Sequence, residues 1–451
     1  MKTSLSAGLL DTLSRQVRIA NLDLASRFPG ESPRRQPVHV VYGGAQLFRS
    51  DSAPKIGAVA RRTMEEYAPT PSALAGLLGL GASGGFAETL YERVAEKLRR
   101  EPVEDFRIDF EDGYGNRTDA EEDGHAESVA RAVAKGMDDG TLPPFIGIRI
   151  KTLSEELRGR AIRTLDIFVT TLLEATGGRL PDNFVVTLPK VTTPAQVTHL
   201  VEVLDEMEKA TGLERGALQF EMMVETPQSI VDPQGRAALP ILLEAARGRM
   251  VAAHFGTYDY TASVGITAAH QRMSHPACLF ALHMMQVAFA GTGVWLSDGS
   301  TAVLPVAPHR AAEGAALTEE QERHNRESVH RAWKMHYDDV HHSLVNGFYQ
   351  SWDLHPAQLV TRYAAVYAFF LGGLDAAAER LRNFVEKAAQ ATLVGDVFDD
   401  AATGQALLNF FLRGINCGAL TEEETIARTT LTLDELRGRS FLKILRNRQV
   451  T

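Results

Sequence analysis

Seven residues between Asp109 and Asp259 have the types and the setting to do chemistry. They are Asp109, Glu111 and Asp112 in FRIDFEDGYG, Arg149 in FIGIRIKT, Lys190 in FVVTLPKV, Glu225 in FEMMVETP and Asp259 in VAAHFGTYDYT. Glu225 and Asp259 are the candidate metal ligands. A carboxylate at the end of a buried apolar strand is costly unless something compensates its charge. A hard divalent cation such as Mg²⁺, which takes one or two protein carboxylates plus waters and substrate oxygens, would do so; so would a salt bridge to a nearby arginine or lysine. Arg149 offers a permanently charged fork that could hold a substrate carboxylate or a developing oxyanion, or pair internally with Asp109 or Glu111. Lys190 has the chemistry of a Schiff-base lysine, but it follows Pro189 and stands among carboxylates, so an ion-paired lysine is expected. In DFED, strand alternation sends Asp109 and Glu111 to one face and Phe110 and Asp112 to the other. The candidates for general base are His39, His254 and Asp112.

Each of these residues ends a run of 5–8 apolar residues, the pattern of a strand buried on both faces. The run ends fall at 109, 149, 188, 225 and 257, a repeat of 32–40 residues with helical patterns between. Strand, polar tip, helix, repeated, predicts a (β/α)₈ TIM barrel whose reacting groups lie at the carboxyl ends of its strands. HVVYGG supplies a first strand at 38–42, GVWLSD a seventh at 293–298, and GFYQSWDLHP (347–356) the least obvious, eighth strand. Helices are expected at 53–67 and 85–100, from about 119 to a cap at Gly136, and from about 154 to 176. Another should open at Thr193-Pro194. Residues 1–36 read as an amphipathic helix and linker, 37–360 as the barrel, and 361–451 as a helical C-terminal extension.

The chain has 451 residues, enough for a large core, and 47 basic against 57 acidic residues give a net charge of −10. That balance argues against a nucleic-acid backbone or an anionic membrane surface as partner, while leaving room for a local basic pocket for a small anion. Cys278 and Cys417 lack metal-ligand spacing, so a reducing cytoplasmic setting without disulfides is expected. No apolar run is long enough to span a membrane.

Two tempting features are set aside. GLGASG (Gly79–Gly84) matches a dinucleotide fingerprint in letters only, because the preceding ALAGLL reads as a helix end and not a strand. His324, His330, His336, His341 and His342 do not stack at i, i+4 spacing as a metal site would, so a solvated helix is expected there.

Taken in order, DFEDG, IRI with Arg149, LPKV, VETP, FGTYDYTAS and the late GF…LHPAQ (Gly347, Phe348, His355, Pro356, Gln358) resemble the citrate lyase β-subunit-like (CitE-like/HpcH–HpaI aldolase) family. Its superfamily also contains malate synthases, to which DFED is particularly similar. The resemblance implies an oligomeric phosphoenolpyruvate/pyruvate-type barrel with Mg²⁺ (or Mn²⁺) on Glu225 and Asp259. It places Arg149 against an enolate or carbonyl oxygen, and Thr261 and Ser263 near a 2-oxo acid carboxylate. Two family features are missing: the early R-S-x-L-F-x-P-G strand is replaced by HVVYGGAQLF, and the late Gly-Lys by Gln350-Ser351. Both departures weigh against a CoA thioester and for a smaller carboxylic acid substrate.

The resulting expectation is a Mg²⁺-dependent carbon–carbon lyase or aldolase acting on a 2-oxo or 3-hydroxy acid, or its CoA thioester, through an enolate. The alternatives are a malate-synthase-like condensation of an acyl-CoA, with Asp399 or Asp400 as base, and a non-catalytic barrel that binds metal or oxoacid.

Overall fold

A computed structural model describes residues 4–30, 34–81, 85–311, 316–386, 392–394, 397–399, 401–438 and 440–449. Eight parallel strands close into a barrel in sequence order. They are β1 (His39–Gly44), β2 (Asp105–Asp109), β3 (Phe145–Arg149), β4 (Phe184–Leu188), β5 (Gln219–Val224), β6 (Met250–Phe255), β7 (Trp295–Ser300) and β8 (Gln350–Asp353). The eighth strand lies where the sequence placed it, and β1 pairs with it to close the ring.

Helices α1 (Ala7–Arg27), α2 (Ser52–Tyr67), α3 (Pro71–Leu78) and α4 (Phe86–Arg100) flank the first crossover. The next crossovers carry α5 (Asp119–Asp139), α6 (Arg158–Thr176), α7 (Pro194–Thr211), α8 (Pro227–Ile230) and α9 (Leu239–Ala245). They are followed by α10 (Thr257–Ser263), α11 (Pro276–Phe289), α12 (Glu319–Val345) and α13 (Gln358–Glu386). Beyond α13 come a short antiparallel pair, β9 (Thr392–Val394) and β10 (Val397–Asp399), and then α14 (Ala401–Asn416), α15 (Glu422–Thr429), α16 (Leu433–Arg437) and α17 (Phe441–Gln449). Among the described residues no helix is long and apolar enough to cross a membrane.

Local signals explain most boundaries. Thr193 and Gln196 form a capping box with Pro194 in the first turn of α7. Thr118 and Glu121 do the same for α5. The expected stop at Gly136 is wrong: α5 runs on to a left-handed Gly140. Gly136 is a packing glycine, since a Cβ there would lie 2.4 Å from Leu142. The expected barrel limit at 360 falls inside α13, which packs against both α12 and α4 and so fills the place of the eighth barrel helix. Helix α1 buries none of its residues and exposes Leu13, Val17 and Ile19.

The expected solvated histidine helix also needs correcting. On α12, His336 is fully buried, with Nε2 2.9 Å from Asp353 and Nδ1 2.8 Å from Thr361 Oγ1. Asp353 also faces His39 Nδ1 at 3.0 Å and accepts from Arg362 Nη2 at 2.8 Å, tying β8 to β1, α12 and α13. His39 Nε2 in turn accepts from the Glu104 backbone N–H at 3.0 Å, so both ring nitrogens are engaged on the outer side of the sheet. As a base for mouth chemistry His39 is therefore excluded by position.

Glu104 is the other anchor of this layer. Lys97 Nζ donates to it at 2.6 Å, Arg35 lies 2.9 Å away, and the Val38 N–H donates at 2.8 Å. Burial would raise its pKa, but Lys97, Arg35 and His39 outweigh burial and hold it at about 2. A depressed carboxyl stabilises the fold above its unfolded pKa, and that contribution is lost as pH falls toward the folded value. Glu104→Gln should therefore unfold more easily than the parent at pH 6 by roughly 3 kcal/mol. The gap should narrow between about pH 4.5 and 2, as read by urea titration; a pH-independent gap would contradict the assignment.

Candidate active site

The seven residues singled out from the sequence gather at the carboxyl ends of five consecutive strands, β2 to β6. Asp109, the last residue of β2, is the anchor. Its Oδ1 accepts from Arg149 Nε (2.7 Å) and Glu111 N (2.9 Å), and its Oδ2 from Arg149 Nη2 (2.6 Å) and Gly113 N (2.7 Å). Gly113 has to be glycine, because a Cβ would sit 2.6 Å from Asp109 Oδ2. Because β2 ends at Asp109, alternation stops there. Glu111 and Asp112 lie in the turn and both face Lys190, contrary to the expected split between faces.

Arg149 is buried and makes the internal pairing that was one of its two expected roles. Two of its nitrogens pair with Asp109, while Nη1 lies 3.2 Å from Glu111, 3.7 Å from Asp112 and 3.6 Å from Met223 Sδ. Its guanidinium lies 4.8 Å over the Tyr42 ring, and Tyr42 stacks on Trp352 at 4.4 Å. Burial disfavours the charge, but Asp109 outweighs it, and the arginine is held firmly protonated. The aromatic floor of Tyr42 and Trp352 was missed in the sequence. Its signal was the inward phase of YGG in β1 and SWD in β8.

Glu225 follows β5 and is buried. Its Oε1 accepts from the Lys190 backbone N–H at 2.7 Å, a contact made possible by the left-handed φ of 51° at Lys190. Gly256 presses on it from β6, where a Cβ would lie 2.3 Å from Glu225 Oε2. Burial, and then Asp259, push the Glu225 carboxyl up to about 8 against the pull of Lys190 and Arg149. Asp259 stands in the first turn of α10, past the strand end, and is partly exposed.

The Lys190 ammonium pairs with Glu111, with Asp112 at 3.0 Å and with Asp259 at 3.5 Å. Burial would lower its pKa; Glu225, Glu111 and Asp259 more than reverse this and raise it. A lysine held protonated is no Schiff-base nucleophile, in line with the ion-paired expectation. With Asp109 committed to Arg149, four carboxyl groups (Glu111, Asp112, Glu225, Asp259) crowd round the Lys190 ammonium, and only Glu111 and Asp112 also come near Arg149 Nη1. This surplus of hard oxygen donors is the chemistry a divalent cation fits. Among the described residues no group of three or more His, Cys, Asp or Glu side chains is spaced as a ready cage. Glu225 and Asp259, the pair expected as ligands, lie close enough for the Asp259 charge to act on the Glu225 carboxyl.

Other expected residues fall elsewhere. The Thr261 hydroxyl is buried and donates to Thr257 O at 2.6 Å, and the Ser263 hydroxyl donates to Tyr260 O at 2.8 Å. Both are absorbed within α10 and do not reach into the mouth. His254 is buried in the barrel interior, 3.2 Å from Glu221 and 3.4 Å from the Tyr42 hydroxyl. Gln350 is buried inside the barrel, and Ser351 faces outward to Arg362, so neither replaces the charge of the family's lysine. Asp400, and the side chain of Asp399, lie outside the described residues.

Lys190 and Glu225 should be energetically coupled. Lys190→Met should destabilise the metal-free protein by about 1–3 kcal/mol, because it strips the shared counter-charge. Adding Glu225→Gln should recover part of that loss. A coupling energy above about 0.5 kcal/mol in a urea-denaturation double-mutant cycle is the expected result; strict additivity would dissolve the cluster as a unit.

Comparison with solved structures shows a likeness of fold. The citrate lyase of Burkholderia xenovorans LB400 superposes with a TM-score of 0.54 at 18% identity, over 76% of this chain and 92% of that one, a likeness of fold. Haloferax volcanii malate synthase in its magnesium/glyoxylate complex aligns over 91% of this chain and 99% of its own at 16% identity and a TM-score of 0.45. The CitE protein of Mycobacterium tuberculosis, in complex with magnesium, acetoacetate and coenzyme A, aligns over 86% and 100% at 15% identity and a TM-score of 0.46. No curated protein matches the chain. A family model described as a domain of unknown function, DUF6986, matches residues 17–444, and the chain belongs to that family.

Proposed function

We propose that the chain is a carbon–carbon lyase or aldolase that uses Mg²⁺, or Mn²⁺, to cleave a small 2-oxo or 3-hydroxy acid through an enolate. The observation that carries this reading is the pairing of a carboxylate surplus around Lys190 with a locked, buried arginine at the same barrel mouth. The fold shared with a citrate lyase is compatible with it. Self-association, implied by the family resemblance, is part of the same reading.

A cation held by Glu225 and Asp259 would supply Lewis acidity toward a substrate oxygen. The rest falls to the protein. Arg149, fixed by two bonds to Asp109, presents Nη1 as a preorganised positive charge where enolate oxygen charge develops, at no reorganisation cost during reaction. Asp112 is the most exposed carboxylate of the mouth. Burial would raise its pKa, but Arg149, Glu111 and Lys190 together hold it below the usual range, so it is ionised and can accept a proton from a substrate hydroxyl as the carbon–carbon bond opens. Lys190 keeps the carboxylates from repelling one another, and the Tyr42–Trp352 stack walls off water beneath Arg149. The buried Gln350, standing where the family has glycine, and the outward Ser351 favour a free acid over a CoA thioester.

The test is release of pyruvate, glyoxylate or oxaloacetate from candidate hydroxy- and oxo-acids, with and without EDTA. Turnover should require Mg²⁺ or Mn²⁺ and disappear in Glu225→Gln and Asp259→Asn. Arg149→Lys should lower kcat by roughly 10²-fold or more, the usual scale for losing one oxyanion donor. Turnover that survives EDTA and both carboxylate substitutions would reject the proposal.

A further inference from the structure

Helix α1 is 21 residues long and buries none of them. Leu10, Leu13, Val17, Ala20 and Leu24 recur at alternating steps of three and four residues and so form one stripe. Leu9 flanks that stripe, and Asp11, Arg15, Arg18 and Asp23 lie on the opposite side. A helix of this length is only marginally stable alone in water, and packing of an apolar face is what secures it. The carboxyl end of α1 is tethered: the Gly30 N–H donates to Gly291 O at 2.8 Å, and Phe28 lies against Gly291, just past the end of α11. From that tether α1 leaves its own barrel with the stripe uncovered.

Helix α11 has the complementary feature. Its sequence, PACLFALHMMQVAF, is apolar on every side but for His283 and Gln286. A helix hydrophobic all round is normally covered all round, yet Phe280 is 54% and Val287 80% exposed. Beside Phe280 the apolar surface continues into a groove of about 370 Å³ whose lining includes Pro227, Ile230, Val231, Pro233 and Tyr260. At about 1.5 Å of rise per residue, α11 is roughly 21 Å long and α1 roughly 31 Å. One α1 is therefore long enough to cover the outer face of an α11 and reach over the groove.

We propose that a second copy of this chain covers both faces: α1 of each protomer lies along the outer face of its partner's α11, reciprocally, about a two-fold axis. One contact then buries the two uncovered surfaces together, as an isologous interface does. The stripe, Phe280 and Val287 offer roughly 800 Å² per copy, which is what each partner contributes to a standard specific interface. Charge selects a second copy over a lipid surface. A helix that lies on a membrane is rich in Lys and Arg on its polar face, whereas α1 sets Asp11 and Asp23 against Arg15 and Arg18 there. Counting Arg27, residues 7–27 carry three arginines and two aspartates, a net +1, so the rest of a chain of net −10 carries −11. The helix thus docks on a body of opposite sign. The inference rests on the self-association in the function proposed above and gives it a surface, and it uses no residue of the barrel mouth.

The experiment is size exclusion with light scattering on the full chain at micromolar concentration. The parent should run at twice its 49.3 kDa, or at an even multiple of that chain mass. Val17→Asp in α1 and Val287→Asp in α11 should each halve the parent's mass with unchanged circular dichroism; both positions are exposed in the single chain, so neither change disturbs its core. A bis-maleimide crosslinker then identifies the contact, since the native Cys278 and Cys417 are buried. A mixture of Val17→Cys and Val287→Cys proteins should give a covalent dimer, and either protein alone should not. Activity is not read, so failure of the lyase reading leaves each of these outcomes as it stands. The proposal is overturned by a monomeric parent, whether or not it binds phosphatidylserine vesicles, or by an odd number of copies. It is also overturned by a parent mass kept in either aspartate variant. Two crosslinking results reject it as well: Val17→Cys joining to itself, which means α1 pairs with α1, or a link within one chain in the doubly substituted protein, which means α1 covers its own α11.

Discussion

The charges buried along the axis of this barrel have to be neutralised within the barrel, and that requirement shapes everything above them. At mid-height, Arg107 of β2 makes a two-point contact with Glu221 of β5 at 2.7 Å per bond and also pairs with Asp105. One layer up, Arg149 of β3 makes the same kind of two-point contact with Asp109 of β2. Such pairs contribute little net stability, because removing the charges from water offsets most of the attraction. They do impose geometry: a guanidinium held at two points cannot rotate, and its remaining nitrogen has one place to be. The orientation of Arg149 at the mouth thus follows from burial of Asp109.

With one carboxylate used in this way, the mouth keeps four others round the Lys190 ammonium, with the remaining nitrogen of Arg149 beside Glu111. The strained details of the site serve to hold them close. Lys190 adopts a left-handed backbone to turn its N–H onto Glu225, and Gly256 and Gly113 are bare because carboxylate oxygens occupy the space a Cβ would need. Backbone strain of this kind persists where the surroundings over-determine it, and it concentrates where chemistry is done. The raised pKa of Glu225 is the electrostatic counterpart of the same crowding.

The barrel was legible in the sequence because its signals are local. Each buried strand is a short apolar run, several helices such as α5, α7 and α12 are opened by a capping box, and the repeat length is regular. Even the faint eighth strand could be placed, since GFYQSWDLHP is the remaining candidate after the seventh. What could not be read depends on distant partners. Gly136 looks like a stop signal until Leu142 is seen packed against it. His336 looks solvated by its charged neighbours until Asp353 and Thr361 arrive from β8 and α13. Thr261 and Ser263 looked available because a sequence does not show that α10 begins at Thr257 and turns both hydroxyls back onto its own carbonyls. The positions of Glu225, Asp259, Arg149 and Lys190 were recoverable because a polar residue at the end of an apolar run has few places to go.

The two ends of the barrel differ in a way that follows from the direction of its strands. All eight run the same way, so their carboxyl ends form one rim and their amino ends the other. On the carboxyl rim, the residues just past the strands are carboxylates in excess of their counter-ions. On the amino rim, the linker before β1 and helix α14 border a cavity whose described lining includes Arg34 and Arg413. The mouth, with its surplus of carboxylates, is suited to cations. The strands themselves carry two arginines, Arg107 and Arg149, against five carboxylates, Asp105, Asp109, Glu221, Asp298 and Asp353, so the acidic excess of the mouth continues into the barrel wall.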